Sequence, residues 1–100
     1  MPTVTRTPAA KGDLLEIWHH IAKDNLEAAD RFLDTINEKC RLLAEGPEMG
    51  PRRSDLAPDV RSFAVRDYLI YYRPIQSGIE VLRVIHGSRD IPAVFHQPRT

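Results

Sequence analysis

Arginine is the residue type whose number and placement in this sequence suggest a chemical role. Residues 1–50 carry 6 Lys and Arg against 9 Asp and Glu, a net charge of −3, whereas residues 51–100 carry 8 against 5, a net charge of +3. All eight basic residues of the second half are arginine, whose rigid guanidinium binds carboxylate or phosphate through paired hydrogen bonds. Several alternate with apolar residues, where their stems would lie along apolar surface. The pattern indicates a functional second half, with ordinary surface arginines as an equal alternative.

Other residue types that carry chemistry are few. His86 and His96 would each titrate near neutral pH. His19 and His20 are adjacent on a predicted helix, where neighbouring side chains point about 100° apart, and no third ligand lies nearby in sequence. Cys40 is the single cysteine, so neither an internal disulfide nor a thiolate cage for a metal can form. We therefore predict no metal site and no cofactor.

Length and composition indicate one small domain over residues 1–100. Domains of this size are common, and a hydrophobic fraction of 42% with 28% charged residues is ordinary for globular proteins. The N-terminus lacks the basic-then-apolar pattern of a signal peptide. No apolar run approaches the roughly 18 residues that would span a bilayer. We expect a cytoplasmic protein that does not contact membranes.

The first predicted helix follows a short strand at residues 3–6. Thr7 followed by Pro8 is typical of a helix start. Apolar residues then recur at steps of three and four, the period of one helix face: Ala10, Leu14, Ile17, Trp18, Ile21 and Ala22. This pattern places Trp18 in the core and Asp13 on the solvent side.

A second predicted helix begins near residue 25. Asp24 and Glu27 fit a capping box, in which each side chain accepts a free backbone N–H. The apolar period runs through Phe32, a predicted core residue, and stops at Gly46, which is followed by proline. Two amphipathic helices joined by so short a link form an antiparallel hairpin.

The period changes from 3.6 to 2 after a loop at residues 46–59 that is rich in Gly, Pro and charge. Asp67 and residues 74–78 are the expected turns, and links this short favour an antiparallel meander. The strands are predicted at Arg61–Arg66, Tyr68–Arg73 and Ile79–His86. The order β-α-α-β-β-β defines an α+β fold in which the helical hairpin packs on one face of an antiparallel sheet. The other face would be left for solvent or a partner.

The strand pattern does not decide whether three residues of these strands are buried or accessible to a partner. Tyr71 and Tyr72 would point to opposite faces, one into the core and the other available to a partner. Arg83 lies mid-strand among apolar neighbours, where an unpaired charge is costly. It would need a carboxylate partner, for which Asp67 and Asp90 are candidates, or an exit towards a binding face.

Five stretches of sequence, which together cover about residues 3–91, are similar to a known family. The most specific is V-L-R-V-I-H-G-S-R-D at Val81–Asp90. The others are A-x-x-D-L-L-E-I-W at Ala10–Trp18, A-A-D-R-F-L at Ala28–Leu33, L-A-E-G-P-E-M-G at Leu43–Gly50, and R-S-F-A-V at Arg61–Val65 with L-I-Y-Y-R at Leu69–Arg73. The chain resembles the ParE branch of the RelE/ParE superfamily of toxin–antitoxin systems.

The resemblance implies a toxin that acts by binding. Proteins of this branch are typically paired with a ParD-like antitoxin, several poison DNA gyrase, and a role in plasmid stabilisation is implied. No cofactor and no sequence-specific DNA binding are expected. The residues predicted to contact the target or the antitoxin are Arg61, Arg66, Tyr72, Arg73, Arg83 and Arg89.

An enzymatic alternative stays open, because relatives on the RelE side cleave messenger RNA on the ribosome. Such cleavage needs a base, an acid and cations for the developing phosphorane. The candidates here are His86, Arg83 and Arg89. Phe95, however, lies where nuclease relatives carry a proton-donating side chain, and it has no titratable proton. A toxin-like module that has lost its activity and only binds antitoxin is a further alternative.

The adjacent arginines of the proline-rich loop, Arg52 and Arg53, are a weak signal for nucleic acid. Two charges without a neighbouring aromatic residue do not make a stacking platform. We expect them to lie in solvent.

Overall fold

A computed structural model describes residues 2–96 of the protein. Its elements confirm the predicted β-α-α-β-β-β order and the α+β class, and a short helix follows. They are β1 (Thr3–Arg6), α1 (Pro8–Ala22), α2 (Leu26–Glu45), β2 (Arg61–Val65), β3 (Tyr68–Ile75), β4 (Gly78–His86) and α3 (Ile91–His96). No helix within residues 2–96 is both long enough and apolar enough to cross a membrane.

The four strands form one sheet in the order β1-β4-β3-β2. β2, β3 and β4 are antiparallel neighbours, as predicted, but β1 runs parallel to β4. The expectation of a wholly antiparallel sheet is therefore wrong at this edge. Hairpin lengths determine the direction of consecutive strands, whereas β1 meets its partner across most of the chain, and no local signal gives its direction.

The turn between β3 and β4 is tighter than predicted. Both strands extend into the expected turn at residues 74–78, so only Gln76 and Ser77 link them. Gly78 has φ of 156°, and a Cβ at this position would overlap the backbone of Thr3. Glycine is therefore required where β1 passes closest to the start of β4.

Both long helices begin at a capped residue. The Thr7 hydroxyl accepts a hydrogen bond from Ala10 N at 3.0 Å, as predicted for α1. In α2 the cap is Asn25, whose side chain accepts from Ala28 N at 2.9 Å. The prediction of Asp24 as the cap is wrong, because Asp24 lies in the turn that follows α1 and donates its N–H to the Ile21 carbonyl.

The helical hairpin packs on one face of the sheet and forms the larger core. The Phe32 ring packs at a tilt against Tyr68, with ring centroids 5.4 Å apart. Burial raises the pKa of the Cys40 thiol. The buried residues are Ala10, Ile17, Phe32, Ile36, Cys40, Leu43, Ala44, Val65, Ile70, Tyr72, Ile79, Val81 and Val84.

Trp18 does not belong to this core, contrary to prediction. It is half-buried, and its indole N–H donates to Asp30 Oδ1 at 2.8 Å at the exposed seam between α1 and α2. Ile17 is buried towards the sheet instead. The next residue on a helix is rotated by about 100°, which takes Trp18 to the edge of the apolar face.

The second face of the sheet is also covered, so the expectation of a bare face is wrong. A smaller cluster of buried residues lies there: Leu56, Val60, Tyr71, Ile85 and Ile91. The loop after α2 supplies the first two and α3 supplies the last. A loop rich in Gly, Pro and charge is usually exposed, but its few apolar residues here fold back on the sheet.

Candidate functional site

Arg83 is fixed in the interior by a carboxylate from α1. Its Nε and Nη2 donate to Asp13 Oδ2 and Oδ1 at 2.7 and 2.9 Å, and its Nη1 donates to the Val94 carbonyl of α3 at 2.9 Å. Arg83 and Asp13 are only 7% and 5% exposed. The hydrogen bonds to Asp13 raise the pKa of Arg83. This residue therefore links α1, β4 and α3, and the candidate partners Asp67 and Asp90 are wrong.

Asp13 also accepts a hydrogen bond from a backbone N–H of β4 that has no partner in β1. The register of β3 and β4 shifts between Tyr71 and Tyr72, so that Leu82 is an extra residue in β4. β1 ends near this bulge, and the Val84 N–H beyond it donates to Asp13 Oδ2 at 3.0 Å. One carboxylate thus serves a buried cation and a strand N–H that β1 does not reach. Its predicted place on the solvent side of α1 is wrong.

Sequence reasoning missed Asp13 although a signal was present. Asp13 stands three residues after Ala10 and four before Ile17, so it shares the buried face of α1 with both. The prediction that Asp13 faces solvent rests only on its polar side chain.

His86 ends β4, and its ring contacts the turn that follows. The side chain of His96, the other acid or base candidate, lies outside the described part of the chain. His86 Nδ1 accepts a hydrogen bond from Ser88 N at 3.1 Å and lies 2.7 Å from Ser88 Oγ. Because a backbone N–H can only donate, a neutral ring carries its proton on Nε2. Its ring also packs edge-on against Tyr68, 5.1 Å between centroids. His86 therefore braces the turn after β4, and its Nδ1 lone pair is already engaged.

A shallow concavity of about 340 Å³ lies beside His86. Its lining residues come from two turns that meet where Gly87 N donates to the Asp67 carbonyl. Desolvation, with a contribution from Asp67, raises the pKa of the Tyr68 hydroxyl, so this phenol stays protonated at neutral pH. The lining residues are Ala64, Arg66, Asp67, Tyr68, Leu69, His86, Gly87 and Ser88.

The candidate arginines separate into two groups at opposite ends of β2. Arg66 and Arg89 are exposed near the concavity, and the Arg66 guanidinium lies 5.7 Å from the centre of the Phe32 ring. Arg61 and Arg73 lie at the other end. Five strand residues separate the two ends, roughly 16 Å at the usual rise. The predicted contact arginines therefore do not form one compact cluster.

The pairing of Arg73 differs from that of Arg61. Arg73 Nε donates to Glu80 Oε1 at 2.8 Å, and its Nη1 lies 4.0 Å from Asp59 Oδ2. Arg61 Nη1 donates to the carbonyl oxygens of Glu48 and Gly50.

The sequence matches a known protein family over most of its length. A sequence model described as "ParE toxin of type II toxin-antitoxin system, parDE" matches residues 4–91. The chain belongs to the ParE toxin family. All five similar stretches found in the sequence lie within or overlap the matched residues, and they include both members of the buried Asp13–Arg83 pair.

Individual ParE-family and related proteins are similar over most of their length. The toxin ParE3 of Caulobacter vibrioides is 30% identical over 94 residues, which cover 93% of this chain and 94% of that protein. A toxin named RelE3 from the same organism is 28% identical over 88 residues, covering 87% and 96%. A solved structure titled "Chromosomal ParDE TA system from P. aeruginosa" has a TM-score of 0.70 at 24% identity, covering 86% of this chain and 96% of that one. The last comparison shows the shared fold.

Two predicted contact residues of this ParE-family chain are inaccessible, namely the buried Arg83 and Tyr72. Tyr72 is 0% exposed; its hydroxyl donates to the Pro47 carbonyl at 2.7 Å and accepts from Gly50 N at 3.0 Å. Burial is the main cause that raises its pKa. Tyr71, its neighbour on the opposite face, is also 0% exposed. The prediction that one of the two tyrosines would be available to a partner is therefore wrong.

Proposed function

We propose that this ParE-family protein is the toxin of a type II toxin–antitoxin system, that it inhibits DNA gyrase by binding, and that a ParD-like antitoxin neutralises it. The 100 residues would act as one domain in the cytoplasm. The observation that carries the proposal is the match of the ParE toxin family to residues 4–91. The identity of 30% with ParE3 across nearly the full length of both proteins supports it.

Two features favour action by binding over catalysis. Arg83, a candidate cation for a nuclease reaction, has all three guanidinium nitrogens bonded within the fold. His86, the candidate acid or base, has its Nδ1 engaged by Ser88. A general base must present a free lone pair to the proton that it removes. Arg83 is therefore not available to a substrate phosphate, and Nδ1 of His86 is not available as a general base.

The proposal of an antitoxin partner rests on membership of the ParE toxin family, and not on a binding groove in this structure. The solved relative belongs to a ParDE system by its title. Antitoxin segments that fold on binding need exposed apolar or charged surface. The exposed apolar side chains of Leu15, Leu26, Leu42 and Met49 offer such surface on the helices and the following loop.

A ribosome-dependent endoribonuclease is the second candidate function. The concavity beside His86 favours it, because Arg66, Tyr68 and His86 line one space. The 28% identity with the toxin named RelE3 also favours it.

Inducible expression with two separate readouts tests the proposal. One readout is a reporter of the DNA damage response, and the other is mapping of mRNA 5′ ends on ribosomes. We expect growth arrest with an induced damage response, intact mRNA, and rescue by co-expressed antitoxin. A His86→Asn variant keeps an acceptor for Ser88 N but lacks the imidazole, so its toxicity should persist. New mRNA ends that vanish in this variant would favour the nuclease instead.

A further inference from the structure

Two arginines face each other across an antiparallel contact at the edge of the sheet. Arg53 N donates to the Val60 carbonyl at 2.7 Å, and Ser62 N donates to the Pro51 carbonyl at 3.0 Å. These bonds place Arg52 directly opposite Arg61, the first residue of β2. Residues opposite each other in this way share one face, with Cβ atoms roughly 5 Å apart.

This arrangement is unfavourable in the free protein, because like charges directly opposite each other destabilise a sheet. Within residues 2–96 the Arg52 guanidinium makes no hydrogen bond or ion pair, and neither do Nε and Nη2 of Arg61. Both side chains line a concavity of about 190 Å³ with Pro58, Asp59 and Pro74. The concavity therefore presents two guanidinium groups whose bonding capacity is largely unused.

The backbone beneath the two arginines is held firmly. Arg61 Nη1 donates to the carbonyl oxygens of Glu48 and Gly50 at 3.2 and 2.7 Å. Gly50 packs so closely that a Cβ would overlap the Ser62 carbonyl and approach the Tyr72 hydroxyl within 2.6 Å. The backbone of the site and the Arg61 side chain are thus organised before any ligand arrives, which lowers the entropic cost of binding.

We propose that Arg52 and Arg61 bind a carboxylate of the antitoxin, an Asp or Glu side chain held between the two guanidinium groups; this rests on the proposed pairing with an antitoxin. The carboxylate would offset the repulsion between the arginines and accept charge-assisted hydrogen bonds. The concavity is smaller than the roughly 300 Å³ at which small-molecule sites begin, so it suits one side chain rather than a nucleotide.

A nucleic-acid phosphate is the less suitable occupant. The whole chain has a formal net charge of 0 with a pI near 6.9. Proteins that bind nucleic acid usually carry a basic surface with a pI well above neutral. A single carboxylate from a docked protein can bind two arginines without an extended basic surface.

Calorimetric titration of the toxin with the antitoxin encoded beside its gene tests the site. The variants are Arg52→Met and, as a control, Arg41→Met on the exposed face of α2. Arg52 is chosen because Arg61 also supports the loop at Glu48 and Gly50. Each Asp and Glu of the antitoxin is changed in turn to Asn or Gln and paired with both forms of residue 52. Melting of the free toxin and binding of a single-stranded RNA oligonucleotide are measured in parallel.

We expect Arg52→Met to raise the Kd for the antitoxin about tenfold and to raise the melting temperature of the free toxin by about 1–4 °C. Neutralising one antitoxin carboxylate should weaken binding to the wild type but not to Arg52→Met, the signature of a direct pair. Equal affinities for Arg52→Met and Arg41→Met would overturn this site alone. Loss of RNA binding without loss of antitoxin binding would make phosphate the ligand and overturn it too. No binding of antitoxin to wild-type toxin would overturn both this site and the proposed pairing.

Discussion

Asp13 and Arg83 lie 70 positions apart in the chain and form a buried ion pair through two hydrogen bonds of 2.7 and 2.9 Å. The pair connects the first helix to the middle of the last strand, and the Val84 N–H shares the same carboxylate. Removing Asp13 would leave a buried cation and a strand N–H unsatisfied at once.

Asp13→Ala should therefore destabilise the protein by about 3–5 kcal/mol, the usual cost of breaking a buried pair. Such a loss approaches the whole stability of a small domain, so the variant should be largely unfolded. The double variant Asp13→Leu/Arg83→Met replaces the pair with apolar side chains of similar size and should recover the part of the loss that the unpaired cation causes. The Val84 N–H stays without its acceptor in this variant, at a cost of about 1–3 kcal/mol. Urea unfolding of the wild type and of the two variants measures these differences in stability.

Asp55→Ala is the matched control for the ion pair. It removes the carboxylate that Arg53 binds at 2.8 Å on the surface, where solvent screens the interaction. Its unfolding midpoint should be close to that of the wild type. Equal losses for Asp13→Ala and Asp55→Ala would contradict the structural role of the buried pair.

Phe32 and Trp18 should differ sharply when truncated to alanine. Phe32 is 4% exposed and packs against Tyr68 in the larger core, so Phe32→Ala should cost about 3–5 kcal/mol. Trp18 is half-buried at the seam of the helical hairpin, and Trp18→Ala should cost about 1–2 kcal/mol, mainly partial burial and one hydrogen bond. Thermal melts compare the two. A larger loss for Trp18→Ala would show that the hairpin is rotated relative to this description.

Tyr72→Phe tests the hydroxyl that holds the loop after α2. Its loss leaves Gly50 N and the Pro47 carbonyl without their partner, at a cost of about 1–3 kcal/mol. Tyr68→Phe on the same strand is the control, because the Tyr68 hydroxyl makes no hydrogen bond within residues 2–96. Comparable losses in the two variants would contradict the role assigned to Tyr72.

The pH dependence of stability provides a second test of Tyr72. Burial raises the pKa of its hydroxyl, so the unfolded state, with an ordinary tyrosine pKa of about 10, releases the proton first. The contribution of this group is constant below about pH 10 and is lost as the pH rises through the folded pKa. Tyr72→Phe should therefore lose less stability between neutral and alkaline pH than the wild type does. A steeper alkaline loss in the variant would be inconsistent with this sign.

The helices and the meander could be predicted because their signals are local. Thr7 and Pro8 mark the start of α1, and the change of period after the loop marks the three strands. The direction of β1 could not be predicted, since its contacts with β4 span the chain. The partner of Arg83 was missed for the same reason, although the spacing of Asp13 from Ala10 and Ile17 placed it on the buried face.

The accessible candidate residues were harder to predict than the fold. Alternation identified Tyr71 and Tyr72 as pointing to opposite faces of the sheet. It could not show that α3, together with the loop that follows α2, covers the second face. Arg52 is exposed, as expected, and its proposed role rests on its register opposite Arg61, which the sequence does not show. Whether a strand face is buried depends on segments distant in the sequence, and the periodicity of the strand carries no information about them.

Supercoiling of a relaxed plasmid by purified DNA gyrase is the most direct test of the central claim. The purified toxin is added at increasing concentration, with and without its antitoxin, and a parallel reaction contains programmed ribosomes and mRNA. We expect that the toxin inhibits supercoiling, that the antitoxin restores it, and that the mRNA stays intact. Undisturbed supercoiling together with toxin-dependent cleavage of mRNA on the ribosome would contradict it.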